Sequence, residues 1–229
     1  MVLWDQGLGG ALTPLLGDSS PNLDTSVTFN TGITSGETYV FAVFGRNAHG
    51  DGAQSATVSI LAATVPSPMN APVLSAVSVH TPLQYRLSVT APHTGGDGVS
   101  IDSYGIVFKH RDSNTYEALA DCDGSLTAFV NNLYCDIDLS TLTGAPLNLQ
   151  LGDAIVAKVQ AVNVLGAGDY SADSDGTALV VSVPTTPASG PYRHEASCTK
   201  TSITVNMPLV AGALDTGGLP ILSYKLEWD

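Results

Sequence analysis

The stretch Gly36-Glu37-Thr38-Tyr39-Val40-Phe41-Ala42-Val43-Phe44-Gly45-Arg46-Asn47-Ala48-His49-Gly50-Asp51-Gly52 has a counterpart 116 residues later. It is Gly152-Asp153-Ala154-Ile155-Val156-Ala157-Lys158-Val159-Gln160-Ala161-Val162-Asn163-Val164-Leu165-Gly166-Ala167-Gly168. Both copies alternate with period two, the signature of a β-strand with one buried face. Tyr39, Phe41 and Val43 share the inward face, and Val40, Ala42, Phe44 and Arg46 the outward one. In the later copy Ile155, Ala157, Val159 and Ala161 point inward, and Val156, Lys158, Gln160 and Val162 outward. Each strand runs into a Gly-rich loop.

Working outward, Thr94-Gly95-Gly96 through Tyr104 recurs as Thr216-Gly217-Gly218 through Tyr224, offset by 120 to 122 residues. Pro-bounded stretches close each copy, Val65-Pro66-Ser67-Pro68 through Pro72 and Val183-Pro184-Thr185-Thr186-Pro187 through Pro191. Leu87 and Val89, and Ile203, Val205 and Met207, mark a further inward-facing strand. A period of 116 to 120 residues is a domain repeat rather than a solenoid. Short alternating strands between Gly and Pro turns, with no 3.6-residue period beyond about ten residues, predict an all-β, antiparallel sandwich.

Gly217-Gly218-Leu219-Pro220-Ile221-x-x-Tyr224-x-Leu226 resembles the GG-x-P-I-x-x-Y-x-V strand of fibronectin type III domains. Gly36-x-x-Tyr39-x-Phe41-x-Val43-x-x-Asn47-x-x-Gly50-x-Gly52-x-x-Ser55, followed by Pro66 and Pro68, resembles a second segment of that family. The family's second-strand Trp is absent, with Ala91 and Met207 near its place, and Ile155 stands where a Tyr is usual, as in a divergent branch. On this template, residues 1–66 are the C-terminal half of a domain, 67–184 a complete domain, and 185–229 the N-terminal half of another. Leu3-Trp4-Asp5 and Glu227-Trp228-Asp229 resemble each other, and both ends read as interrupted strands. The expectation is a window on a longer repeating chain; arbitrary ends are the alternative.

The chain carries 8 Lys and Arg against 21 Asp and Glu, a formal net charge of −13. So acidic a chain excludes phosphate-backbone recognition, and no nucleic-acid partner is expected. No apolar run reaches the ~18 residues of a membrane span, so no membrane insertion is expected within these residues. The start, Met1-Val2-Leu3-Trp4-Asp5-Gln6, reads as a strand rather than a secretion signal.

Cys122 and Cys135 are 13 apart and are read as a disulfide across a hairpin, with free buried thiols as the alternative. Such a bridge stabilises by about 3 kcal/mol and implies an oxidising, extracellular or cell-surface compartment. Cys198 is left over. The five His have no metal-ligand spacing, and no nucleophile elbow, phosphate loop or His-Glu-x-x-His occurs. No catalytic residue, metal or cofactor is therefore expected. The acidic pairs Asp121/Asp123, Asp136/Asp138 and Asp173/Asp175 match no calcium loop and read as solvated turns.

With no Asn-x-Ser/Thr sequon, any glycan would be O-linked, with Thr185, Thr186, Ser189, Ser67 and Thr64 as candidates. Val40 and Phe44 form a small outward apolar strip, and together with Trp4 and Trp228 they are candidate protein contacts. The resulting expectation is a non-catalytic structural repeat of a long extracellular or surface protein. Its partner would be copies of itself, head to tail, in a rod or filament. Two alternatives are an adhesion or receptor ectodomain binding a glycan or protein through Gly-rich loops, and a spacer in a secreted polysaccharide-acting enzyme.

Overall fold

The computed structural model describes residues 1–18, 20, 22–77 and 83–227. The chain divides into two compact units. One holds Met1–Pro68 with the loops Pro92–Ser103 and Ala161–Asp169; the other holds Met69–Ala91, Tyr104–Gln160 and the remainder from Tyr170.

In the first unit β1 (Val2–Trp4), β2 (Thr13–Leu16), β3 (Thr38–Val43) and β6 (Val58–Leu61) make one antiparallel sheet in the order β2-β1-β3-β6, while β4 (Arg46–Asn47) and β5 (Gly50–Asp51) form a short hairpin. Val2 pairs with Val43 and Trp4 with Phe41 on one face of the sheet, and buried Leu3 pairs with buried Ala42 on the other. Trp4 stacks on Tyr39 at 5.8 Å and lies 6.3 Å from Phe29, between ring centres. Buried Asp5 ends β1 and accepts hydrogen bonds from the backbone N–H of Val40 (3.0 Å) and Gly7 (2.9 Å), which hold its carboxyl below the usual range.

The second unit contains β7 (Val73–Ala76), β8 (Gln84–Ser88), β9 (Ser103–Lys109) from Tyr104 on, β10 (Tyr116–Glu117), β11 (Tyr134–Asp138) and the first four residues of β12 (Ala157–Asn163); the end of β12 and all of β13 (Gly166–Ala167) fall in the stretch Ala161–Asp169 counted with the first unit. They make two antiparallel sheets, β11-β8-β7 and β10-β9-β12-β13. Tyr85, Leu87 and Ile137 are buried on the first sheet; Ile106, Phe108, Ala157 and Val159 are buried on the second. Three antiparallel strands and four, each sheet with a buried apolar face, make an antiparallel β-sandwich.

The helices α1 (Thr127–Asn132) and α2 (Leu139–Thr143) flank β11. At one or two turns each they are too short to show a helical period in the sequence. Cys122 and Cys135 form a disulfide tying the segment before α1 to β11. On the same strand Asp136 accepts two hydrogen bonds of 2.7 Å from Arg86, whose guanidinium lies 3.9 Å from the Tyr134 ring centre. The Arg86 hydrogen bond keeps the Asp136 carboxyl below its ordinary value.

Beyond residue 184, β14 (Tyr192–Arg193) and β15 (Val205–Asn206) pair as Tyr192↔Asn206 and Arg193↔Val205. This reproduces the Val73↔Ser88 and Leu74↔Leu87 register of β7 and β8. A short helix, α3 (Ala213–Thr216), follows. One expectation needs correction: Ser223–Glu227 forms no strand, although its alternation matches that of β9. β9 is held between β10 and β12, whereas 223–227 has no strand alongside among the described residues, and alternation without a neighbour's hydrogen bonds does not make a strand. Trp228 lies outside the described residues.

Truncating a fully enclosed side chain leaves a cavity as well as losing transfer energy. Leu87→Ala is therefore expected to cost about 2–5 kcal/mol, read as a lowered midpoint in urea denaturation.

Candidate functional site: linker clasps and open sheet faces

The Pro-bounded linkers are pinned to the repeated Gly-Gly loops by the same hydrogen bonds at two places. In the first unit the N–H of Thr64 donates to Gly95 O (2.9 Å), that of Ser67 to His93 O (3.1 Å), and that of Gly36 to Ala62 O (2.9 Å). In the second unit the N–H of Ser182 donates to Gly217 O (2.8 Å), that of Thr185 to Asp215 O (2.8 Å), and that of Gly152 to Val180 O (2.8 Å). Glycine is required at both contacts. A Cβ on Gly95 would sit 2.1 Å from Thr64 O and one on Gly217 2.1 Å from Ser182 O, and both glycines have positive φ, +94° and +73°.

Asn163 completes the first clasp. It is buried, its Oδ1 accepts from Leu165 N–H (2.9 Å), and its amide nitrogen donates to Thr64 O (2.8 Å) and Thr94 O (2.9 Å). One side chain thus serves a linker carbonyl and a loop carbonyl at once. Strand alternation does not single out Asn163 for this task. The recurrence of Asn47 and Asn163 ahead of matched Gly-rich loops is its visible signal.

The second feature is a pair of open apolar faces. In the middle sandwich Val159 and Leu87 are 0% exposed and Tyr85 1%; their repeat counterparts Val43, Val205 and Ile203 are 52%, 36% and 83% exposed. Val43 lines a cleft of about 460 Å³ in the first unit with Val2, Leu16, Phe29, Phe41 and Ile60. Ile203 and Val205 line a cleft of about 740 Å³ with Tyr192, Cys198 and Leu226. Val43 shares its cleft with Phe41 and Tyr39, as alternation expects, but Ala42 on the opposite face is the buried neighbour, and of the expected strand Ile203, Val205 and Met207 only Val205 lies in a strand, β15 spanning Val205–Asn206.

The remaining candidates are dispersed. Trp4 is spent on its own aromatic cluster, Val40 is half-buried with its N–H on Asp5, and half-buried Phe44 donates its N–H to Met1 O. Among the O-glycan candidates, all exposed, the Thr64 and Thr185 hydroxyls bond to clasp carbonyls, Gly95 O and Asp215 O, both at 3.3 Å. Ser67, Thr186 and Ser189 stand along the two linkers. Cys198 is a free, half-buried thiol beside Thr204.

The acidic pairs serve local structure. Asp121 accepts from the Thr141 hydroxyl, Asp123 from Ser125 N–H, Asp138 from Gln84 and Asp175 from Thr177 N–H. Among the described residues, no three His, Cys, Asp or Glu side chains gather to hold a metal, and no helix is long and apolar enough to cross a membrane.

No protein-family model and no curated protein sequence matches this chain. Similar solved structures include a titin fragment of three domains, with TM-score 0.42 and 18% identity over 76% of this chain and 52% of that one. Another is the sixth fibronectin type III domain of human fibronectin type III domain containing protein 3, with TM-score 0.36 and 18% identity over 56% of this chain and 95% of that one. The FN1–FN3 domains of chicken contactin align with TM-score 0.34 and 16% identity over 75% of this chain and 53% of that one. The chain spans about half the length of the titin and contactin fragments.

Gly95→Ala and Gly217→Ala are each expected to destabilise the fold by about 1–3 kcal/mol, the scale of imposed backbone strain. Gly190→Ala, where a Cβ meets nothing within 4 Å, should stay within about 0.5 kcal/mol in the same urea titration. A pH effect is expected at Tyr116, whose hydroxyl donates to both Asp173 oxygens at 2.7 Å. Burial first, and then Asp173, push its phenol up from 10.0 to about 12. A raised folded value means that this contribution to stability is complete below about pH 10 and is lost as pH rises through about 12. Spectrophotometric titration should show a tyrosine step near pH 12 that is missing from Tyr116→Phe.

Proposed function

We propose that this chain is a non-catalytic structural segment of an extracellular or cell-surface array of fibronectin type III-like modules. The recurrence of one linker clasp at both Gly-Gly loops is the observation that carries the reading. A linker whose backbone donors are tied to the following loop, with no space for a Cβ between them, has lost the freedom of a flexible tether. An array built on such linkers transmits tension and resists bending, which is the use of a rod. Outside the cell, the Cys122–Cys135 disulfide persists, whereas a reducing cytosol removes it. The low charge, predominantly of one sign, keeps such a surface soluble without attracting polyanions.

The test is made on the protein isolated from the organism that makes it. Electron microscopy is expected to show segmented threads, and Cys122 and Cys135 should resist alkylation until reduced. Compact isolated particles would overturn the array, and thiols alkylated without reduction would overturn the compartment.

A further inference from the structure

Each open feature of this chain has its complement elsewhere in the same chain. The first unit carries a four-stranded sheet of the kind formed by β10-β9-β12-β13, with Val43 exposed on the inner face. Residues 191–206 carry a strand pair in the register of β7 and β8, with Ile203 and Val205 exposed on theirs. In the middle sandwich, sheets of these two kinds bury each other's inner faces.

The clasps divide in the same way. Asn47, at the end of β4, accepts His49 N–H on Oδ1 at 2.8 Å, as Asn163 accepts Leu165 N–H. Unlike Asn163 it is exposed, and its amide nitrogen has no acceptor among the described residues. Conversely, Ser182 O and Thr216 O are the counterparts of the two carbonyls that Asn163 binds. They sit in an assembled clasp and receive no hydrogen bond among the described residues. Among the described residues, one asparagine is without a clasp and one clasp is without an asparagine.

We propose that residues 1–68 of a second copy of this chain dock on residues 182–227, closing the two open sheets into one sandwich, with Asn47 of the second copy donating to the carbonyls of Ser182 and Thr216. The contact extends the clasp already formed between Thr64, Thr94 and Asn163, and so it rests on the array reading above. It joins unlike surfaces, so each docked copy still presents one free face of each kind, and association continues linearly unless the rotation closes a ring.

The test uses the 229-residue chain and two variants, each blocked at one face. Val43→Asp places a charge in the cleft of the first unit; Ile203→Asp with Val205→Asp does so on the other. All three positions are solvent-accessible in the single chain, so the middle sandwich should keep its denaturation midpoint in both variants. In sedimentation velocity the unaltered chain is expected to form a concentration-dependent ladder. Each blocked variant should be monomeric, and a mixture of the two should give a 1:1 dimer and nothing larger. Asn47→Ala should weaken the association by about tenfold, the loss of two neutral hydrogen bonds. A monomeric unaltered chain would overturn the proposal, whether the faces stay open or close on each other within one molecule. Homodimers of either blocked variant would also overturn it. Neither result would touch the clasps, whose glycine substitutions report on the array reading separately.

Discussion

A β-sheet with one apolar face must find a second layer to cover it, and every notable feature of this chain follows from where that condition is met. The middle sandwich meets it internally. Tyr85, Leu87 and Ile137 face Ile106, Phe108, Ala157 and Val159, and all are withdrawn from solvent. The same alternation in residues 1–66 and 185–227 yields a sheet and a strand pair on which Val43, Ile203 and Val205 stay exposed, while Tyr39 is buried. The area involved matters energetically. Burying one large aliphatic side chain stabilises by roughly 1.5–3 kcal/mol, so several such residues left in water are a strong drive toward any matching surface.

The second constraint is the close approach of backbone to backbone at the linkers. Hydrogen bonds from Thr64 and Ser182 to the Gly-Gly loops leave no volume for a side chain at Gly95 or Gly217. In the first clasp the linker carbonyl and the loop carbonyl are close enough for one donor to serve both. A side-chain amide carries two N–H groups on one nitrogen, and Asn163 uses them on Thr64 O and Thr94 O. An aspartate would present only acceptors there, and a serine has a single proton.

Much of this was legible in the amino-acid order. The inward positions of Ile155, Ala157, Val159 and Ala161 follow from alternation alone, because a strand turns its side chains to opposite faces at every step. The repeated Gly-Gly, the prolines and the matched asparagines stand out in the sequence at nearly constant offsets. The strand expected over 223–227 did not form. Alternation reports which face a residue would take, and carries no information on whether a neighbouring strand is present to hydrogen-bond it. Tyr85 was equally invisible. Its hydroxyl accepts from Val181 N–H and donates to Leu179 O across 94 residues or more, a contact that no local pattern encodes.

By itself, then, the sequence determined the module, its period, its strand phases and the glycines of its turns, since each depends on neighbours a few residues apart or on repetition of the same pattern. Tertiary structure alone decided which apolar residues are covered, which carbonyls Asn163 joins, and that the Asn47 amide nitrogen and the carbonyls of Ser182 and Thr216 have no hydrogen-bond partner among the described residues. Those outcomes depend on what distant segments bring alongside, and burial and hydrogen-bond satisfaction are properties of the assembled neighbourhood.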